Sequence, residues 1–305
     1  MKAIVVSDPA TGLAGMTLTE RPEPLAAIND VIVQVHASGF VATEMQWPST
    51  WTDRAGRDRA PAIPGHEAAG VVVALGYGTT GVAVGERVFG ITDWHRDGTL
   101  AEYVAVEARN LAPLPRDVDF TVGASLPISG LTAWQGLFDH GHLQAGQSVL
   151  SHGAAGAVGT MVTQLARESG AHVIGTGRAR DRQKALDYGA HEFVDLDNDA
   201  LEDVGGVDLV FDVIGGEVQQ RSAAIIRPGG VLVSIVGPVE VLPADGRAVD
   251  FVVESVPAQL REIAARVRDG RIRTNIGQVV PLREAVTALN STDRRKGKLV
   301  VTLTD

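Results

Sequence analysis

The chain of 305 residues has no cysteine, which excludes disulfides, thiol catalysis, iron–sulfur clusters and Cys-ligated zinc. It has no run of eighteen or more apolar residues, so we expect no membrane-spanning helix. Acidic residues outnumber basic residues, 37 to 27. The net charge of −10 argues against nucleic acid and anionic membrane surfaces as partners. Met1 is followed directly by "KAIVV", a predicted strand rather than a signal peptide, so we expect a cytoplasmic protein.

The hydrophobic pattern divides the chain into two kinds of region. Up to about residue 116, short apolar runs such as "DVIVQVHA" and "AEYVAV" are separated by Gly- and Pro-rich turns, which predicts a compact, barrel-like β domain. From about Gln147, predicted strands alternate with predicted helices, as in "HVIGTG" followed by "RDRQKALDYGA". This alternation predicts a parallel sheet covered by helices on both faces. The tail "GKLVVTL" is predicted to be a strand that returns to the first domain.

A glycine-rich turn in "SVLSHGAAGAVGTMVTQLARESGA" separates a predicted strand from a predicted amphipathic helix. Ala154, Gly156 and Gly159 occupy the three small positions of a dinucleotide-binding turn, with Ala in place of the first Gly. Such a turn lets the backbone approach a pyrophosphate, and the helix N-terminus offers it N–H groups. The alternative is a purely structural turn. We expect the cofactor to contact Ala155, Gly156, Ala157, Val158 and Gly159.

The end of the next strand bears on which cofactor is bound. An NAD site usually has Asp or Glu there to bind the ribose 2′-OH, whereas this chain has Gly177 followed by Arg178. A guanidinium can hold a 2′-phosphate through charge-assisted hydrogen bonds, and Arg180 and Arg182 lie close by in the sequence. We therefore predict NADPH, with Gly177, Arg178 and Arg182 in its binding site. The alternative is a solvated basic loop.

Together with several other segments, these motifs resemble the medium-chain dehydrogenase/reductase superfamily, and within it the zinc-free quinone oxidoreductase branch. The resemblance covers essentially the whole chain and rests on "PGHEAAGVV", "VGERVFG", "GTLAEYVAV", "LPISGLTAWQGL", "HGAAGAVG", "DVIGG", "PGGVLVSIVG" and "KGKLVV". It implies an α/β fold with a Rossmann doubly wound parallel sheet plus a GroES-like β-barrel domain. The implied domains are a GroES-like catalytic domain at 1–116, a Rossmann NADP-binding domain at 117–261 and a C-terminal return to the catalytic domain at 262–305.

The resemblance raises the question of zinc, because zinc members carry a ligand His in a Gly-His-Glu segment like that at His66. Their Cys ligand lies in a Gly-x-Cys-x-Thr/Ser-Asp pattern, and Val41 stands at that position here. One His cannot hold a catalytic zinc, which needs about three protein ligands. We therefore predict no metal site and interpret His66 and Glu67 as retained scaffold. A direct proton-transfer role or an unusual metal site is the alternative.

The resemblance also implies roles for individual residues. Thr43 stands where zinc members keep a proton-relay hydroxyl, which makes it the candidate catalytic residue; the alternative is an ordinary turn threonine. Further cofactor contacts are implied at Thr132, Val213, Ile214 and Val236. Four aromatic residues are candidates either for the substrate pocket or for core packing: Trp47, Trp51, Trp94 and Tyr103.

These features favour a reductase that works without a metal. Without a Lewis acid, simple carbonyls are hard to activate, whereas quinones and α,β-unsaturated carbonyls are more electrophilic hydride acceptors. We predict hydride transfer from NADPH to such a small molecule. The alternative is a non-catalytic NADPH-binding structural or sensory protein of the same fold. The apolar runs "VLVSIVG" and "VDFVVE" near the expected sheet edge, with the resemblance, also predict a homodimer.

Overall fold

The computed structural model describes residues 1–292 and 296–304. In these residues the strands are β1 (Lys2–Val5), β2 (Thr17–Glu20), β3 (Asp30–Phe40), β4 (Glu67–Leu75), β5 (Arg87–Ile91), β6 (Tyr103–Glu107), β7 (Leu111–Pro113), β8 (Ser148–Ser151), β9 (His172–Gly177), β10 (Glu192–Asp195), β11 (Val207–Asp212), β12 (Ile226–Ser234), β13 (Arg247–Asp250), β14 (Ile276–Pro281) and β15 (Lys298–Thr302). The α-helices are α1 (Pro48–Trp51), α2 (Phe120–Ser125), α3 (Pro127–Trp134), α4 (Ala157–Glu168), α5 (Arg182–Asp187), α6 (Gly216–Ala224), α7 (Pro257–Arg268) and α8 (Leu282–Asn290). Among the described residues, no helix is both long and apolar enough to cross a membrane.

The chain forms two compact units. Unit 1 comprises residues 1–127, 255–269 and 275–305, and unit 2 comprises residues 128–254 and 270–274. The domain boundaries predicted from the sequence are 116 and 261, whereas this division into units places α2 and the start of α7 in unit 1. The physical reason is packing, because α2 contacts β3 and β4 and α7 contacts β7.

Unit 1 is built on a sheet in the order β14-β15-β3-β4-β5-β7, with β6 also paired to β3, and on a separate β1-β2 pair. The side chains of β3 show little alternation between buried and exposed positions, because the strand is buried on both faces. Val31, Val33 and Val35 pack into an apolar cluster. The predicted return strand is present. β15 pairs antiparallel with β3, placing Leu299 opposite Phe40 and Thr302 opposite Ala37.

Unit 2 is a six-stranded sheet in the order β10-β9-β8-β11-β12-β13, and every pair in it is parallel. In order of appearance within the unit, the arrangement is 3-2-1-4-5-6, which is the Rossmann strand order. The central strands are buried and apolar, with Leu150, Val210 and Leu232 in one core cluster. This burial explains why these strands are near-continuous apolar runs in the sequence.

Candidate functional site

The strand order of unit 2 reverses between β8 and β11, with β9 and β10 on one side and β12 and β13 on the other. In open α/β sheets, ligands bind outside the carboxyl ends of the strands at such a switch point. The turns that follow β8 and β11 meet here, since a Cβ atom on Gly153 would lie 2.9 Å from Cγ2 of Val213. The switch point therefore lies between the glycine-rich turn and the "DVIGG" segment.

The glycine-rich turn leads directly into a helix N-terminus. Gly153 has φ +59°, and its carbonyl oxygen accepts a 2.7 Å hydrogen bond from the Gly156 N–H. Gly156 is the N-cap of α4 and supplies no side-chain cap. The N–H groups of Ala157, Val158 and Gly159 have no acceptor within the helix, as in the first turn of any α-helix. With the positive end of the helix dipole, this arrangement suits the phosphates of a dinucleotide.

Gly159 has a steric role in the same turn. A Cβ atom at this position would overlap the carbonyl oxygen of Gly153 and lie 2.8 Å from Cα of Ala154. A side chain would therefore push α4 away from the turn that it caps. The observed backbone fits a dinucleotide cofactor at the small positions that the sequence analysis identified.

The end of β9 carries the candidate 2′-phosphate contact. A Cβ atom on Gly177 would lie 3.5 Å from Oδ2 of Asp181, so this buried aspartate occupies the space beside the strand end. The side chain of Arg178 is 65% exposed, and its Nε lies 4.0 Å from Oδ2 of Asp197. Arg178 is therefore accessible to a ligand, but a carboxylate competes for its charge.

Arg182, also expected to bind the cofactor, contacts β10 in this structure. Its guanidinium donates to the carbonyl oxygen of Phe193 (3.0 Å) and to Asp199 (3.4 Å), and lies 5.1 Å from the centre of the Phe193 ring. These contacts give Arg182 a structural role. Asp197 and Asp199 are not among the site residues predicted from the sequence, although the acidic segment "DLDND", which begins at the last residue of β10, could have indicated them.

The remaining expected cofactor contacts lie at different depths of unit 2. Ile214 and Val236 are 43% and 45% exposed, so both side chains are accessible to a ligand. A Cβ atom on Gly215 would lie 3.1 Å from Cγ2 of Val236, so the turns after β11 and β12 are adjacent. Thr132 is buried on α3.

A buried histidine lies beneath the glycine-rich turn. Nδ1 of His152 lies 2.8 Å from the Thr176 hydroxyl, and Nε2 lies 2.7 Å from the Ser222 hydroxyl, which itself donates to the Val218 carbonyl oxygen. Burial lowers the pKa of His152 to about 4, although the negative charge of Asp212 acts in the opposite direction. A neutral His152 therefore connects β9 to α6 at neutral pH.

In unit 1, His66 forms a buried pair with Glu44, a residue that the sequence analysis did not single out. Nδ1 of His66 lies 2.6 Å from Oε2 of Glu44. The same carboxylate accepts hydrogen bonds from the N–H groups of Gly65 (3.0 Å) and Val41 (3.1 Å). Glu44 thereby ties the short 3-10 turn Ala42–Gln46, which carries Thr43, to the segment that precedes β4.

The surroundings of His66 do not fit a catalytic zinc. Its Nδ1 faces Glu44, its Nε2 lies 3.3 Å from the carbonyl oxygen of Trp94, and Val41 offers no ligand atom. In the described part of the chain, no group of three or more His, Asp or Glu side chains could hold a metal ion. The geometry supports a scaffold role for His66, in which its hydrogen bonds fix two backbone segments.

Thr43 is exposed, and its hydroxyl has no hydrogen-bond partner among the described residues. Trp47 and Trp94 form an edge-to-face pair with ring centres 5.3 Å apart, and Trp94 is also 4.9 Å from the His66 ring. Trp51 differs, because its indole donates to the Met45 carbonyl oxygen and its ring packs on an apolar cluster. The aromatic residues therefore divide into a half-buried pair beside His66 and a packed Trp51. Tyr103 lies on β6, opposite Gln34 of β3.

Glu67, the neighbour of His66, forms a buried ion pair with Lys298. Glu67 begins β4 and Lys298 begins β15, so the pair joins two strands that both pair with β3. A Cβ atom on Gly39 would overlap the carbonyl oxygen of Ala124 and lie 2.7 Å from the Glu67 carboxylate, which explains the glycine at this point of β3. The ion pair supports the interpretation of Glu67 as scaffold and identifies Lys298 as its partner.

Comparison with known proteins agrees with this architecture. Residues 27–116 match the alcohol dehydrogenase GroES-like domain, and residues 188–301 match the zinc-binding dehydrogenase domain. The quinone oxidoreductase of Pongo abelii is 30% identical over 285 residues, which cover 87% of this chain and 85% of that protein. The quinone oxidoreductase of Mus musculus is 29% identical over 300 residues, covering 90% of this chain and 88% of that protein.

A solved structure of the quinone oxidoreductase from Coxiella burnetii is 27% identical, with a TM-score of 0.89 over 100% of this chain and 99% of that chain. The match confirms the fold class inferred from the sequence, a Rossmann sheet plus a GroES-like domain. Sequence and structure together show that the chain belongs to the medium-chain dehydrogenase/reductase superfamily, as a quinone oxidoreductase-like, nicotinamide-dinucleotide-binding member.

Proposed function

We propose that the protein is an NADPH-dependent reductase that needs no zinc and acts on a quinone or an α,β-unsaturated carbonyl. The observation that carries this proposal is the phosphate-binding turn at the switch point of unit 2, together with the accessible Arg178 at the end of β9. The names of the quinone oxidoreductase relatives support the choice of acceptor.

Cofactor binding is assigned to residues of unit 2. The first turn of α4 holds the pyrophosphate through the N–H groups of Ala157, Val158 and Gly159. Arg178 holds the 2′-phosphate through charge-assisted hydrogen bonds. We assign the exposed apolar side chains of Ile214 and Val236 to the nicotinamide half, from which they would exclude water.

The chemistry follows from what the cofactor supplies and what the chain adds. Bound NADPH supplies a hydride, and the protein's task is to orient the two reactants and stabilise charge. In a quinone or enone, the negative charge is delocalised onto an oxygen distant from the carbon that is attacked. A modest hydrogen-bond donor is then sufficient, and we assign this role to the exposed hydroxyl of Thr43.

Steady-state NADPH oxidation by the purified protein tests the proposal. We expect turnover with benzoquinones, naphthoquinones and enones, and none with saturated aldehydes, which need stronger polarisation of the carbonyl. A titration of NADPH binding, run in parallel, separates affinity from turnover. Tight NADPH binding without turnover across this panel would instead support the non-catalytic alternative, and absence of binding would refute both.

A further inference from the structure

A buried carboxylate lies at the switch point of unit 2 without belonging to the expected set of cofactor contacts. Asp212 ends β11 and is fully buried. Its Oδ1 accepts hydrogen bonds from the N–H groups of Ile214 and Gly215, both 2.9 Å long. Its Oδ2 accepts from Nε2 of Gln219 (2.8 Å) and from the hydroxyl of Ser234 (3.0 Å). Two hydrogen bonds to each oxygen use the accepting capacity of the carboxylate.

The two backbone bonds fix the turn that follows β11. Gly215 and Gly216 have φ values of +76° and +56°, a region that is open to glycine but costly for other residues. The glycines allow the turn to reverse, and the Asp212 carboxylate holds one conformation of it. Ile214, at the start of this turn, is thereby presented to solvent at 43% exposure.

The two side-chain hydrogen bonds to Asp212 also fix the turn that follows β12. Ser234 ends β12, and its hydroxyl also accepts from Nε2 of Gln219 (3.2 Å) and from the N–H of Val236 (3.4 Å). Oε1 of Gln219 accepts from the N–H of Glu240 (3.3 Å). A single buried network thus connects the segments that present Ile214 and Val236.

The position of this network separates it from the adenine half of the site. It lies at the ends of β11 and β12, whereas Gly177 and Arg178 lie at the end of β9, on the other side of β8. Ile214 and Val236 are the residues that the proposed function assigns to the nicotinamide half. A change in the network should therefore disturb one half of the cofactor and spare the other.

From these contacts we infer that Asp212 is a positioning residue for the nicotinamide half of the cofactor, acting through Gln219 and Ser234. The inference rests on the proposed function, since it assumes that a nicotinamide dinucleotide occupies the switch point. Asp212 touches no reacting atom in this scheme. It fixes the two turns that would contact the ring, so that no loop would have to be ordered on cofactor binding.

The test uses an isosteric substitution and its rescue. In Asp212→Asn, the amide oxygen can still accept from Ile214 and Gly215, but the new NH₂ group faces the NH₂ group of Gln219. The double variant Asp212→Asn with Gln219→Glu reverses the polarity of this contact and restores a donor–acceptor pair. Both variants keep the size of the side chains, so packing is unchanged.

The measurements are the affinities for NADPH and for adenosine 2′,5′-bisphosphate, which carries only the adenine half. We expect Asp212→Asn to weaken NADPH binding roughly ten-fold and to leave bisphosphate binding within about two-fold of wild type, because one charged contact inside the network is lost. The double variant should recover most of the NADPH affinity. A general loss of fold would instead weaken the binding of both ligands.

Three outcomes would overturn the inference: unchanged NADPH binding, equal loss of both ligands, or no rescue in the double variant. If Asp212→Asn does not fold, Ser234→Ala replaces it, because this variant removes one donor and keeps the carboxylate. A selective, smaller loss of NADPH affinity is then required. Failure of the wild type to bind either ligand would refute the proposed function and the inference together, whereas normal wild-type binding with an unselective variant refutes the inference alone.

Discussion

Replacing Arg178 with alanine tests how the protein distinguishes NADPH from NADH. The two cofactors differ only in the 2′-phosphate, so a preference must come from groups that contact it. A hydrogen bond to a charged group contributes about 1.5–3 kcal/mol. In this structure Arg178 already faces Asp197 across 4.0 Å, with both side chains 65% exposed. Releasing such an exposed pair costs about 0.2–1 kcal/mol, so the net contribution of Arg178 is smaller than that of an unopposed arginine.

The remaining free energy is about 0.5–2.8 kcal/mol, which corresponds to a factor of about two to one hundred in affinity. We expect Arg178→Ala to weaken NADPH binding by this factor and to leave NADH binding nearly unchanged. Added salt should weaken NADPH binding more than NADH binding in the wild type, because the exposed charges are screened. The measurement is a calorimetric titration of both cofactors at low and high salt.

Two further variants sharpen this experiment. Asp197→Asn removes the competing carboxylate, so NADPH should bind about two- to five-fold more tightly. Arg182→Ala is the control variant, because it removes the same charge from a neighbouring position. It should change NADPH selectivity little, since the guanidinium of Arg182 is bound to Phe193 and Asp199 in the wild type. The reasoning is refuted if the wild type binds NADH as tightly as NADPH, or if Arg182→Ala reproduces the loss seen in Arg178→Ala.

Three other predictions concern the acceptor, the metal and the assembly. Thr43→Val should lower turnover with quinones by about ten-fold, the effect of losing one donor to a developing negative charge, with a smaller change in NADPH affinity; unchanged turnover would remove Thr43 from the mechanism. The purified protein should contain no stoichiometric zinc and keep its activity in a strong chelator, and about one zinc per chain, lost together with activity, would contradict this. The protein should be a homodimer paired through the exposed edge of β13, and light scattering that shows only monomer at micromolar concentration would count against it.

The main features of the fold could be predicted from the sequence because they depend on local patterns. Alternating apolar strands and amphipathic helices predicted the parallel sheet of unit 2, and Gly156 and Gly159 correctly indicated the turn that leads into α4. Boundaries were less accurate. Within the segment "EVQQRSAAIIRPGG", α6 ends at Ala224 and β12 begins at Ile226, and no glycine or proline lies between them to mark the boundary. The first part of β12 is exposed and its register with β11 is shifted, so the hydrophobic pattern gave little indication of a strand there.

The run "VDFVVE" has the apolar pattern of a strand, but most of it is held outside the sheet by a contact with a residue distant in the sequence. β13 covers only its first two residues, because it spans Arg247–Asp250. The amide of Gln135 donates to the carbonyl oxygen of Glu254 (2.8 Å) and accepts from its N–H (3.1 Å), which removes that segment from the sheet. Val252, in between, is left 74% exposed.

The polar contacts of the site were the least predictable, since their partners lie far apart in the chain. Glu44 contacts His66, Lys298 contacts Glu67, and Asp197 faces Arg178, and no spacing rule links these pairs. The sequence shows that Val41 stands where zinc members of the family have a Cys ligand to accompany the histidine. It could not show that Glu44 is the partner of His66, because that depends on how the turn at Ala42–Gln46 folds against the segment before β4.

The pairing of β15 with β3 has a consequence for biosynthesis. β3 leaves the ribosome early, but the neighbour that completes its edge is translated almost at the end of the described chain. Most of unit 2 lies between them and can fold first, since domains generally fold as units during synthesis. Until β15 arrives, part of β3 is an open strand edge, and the ammonium of Lys298 has not yet reached the Glu67 carboxylate. The nascent protein is therefore expected to be most vulnerable to aggregation after unit 2 has folded and before β15 has docked.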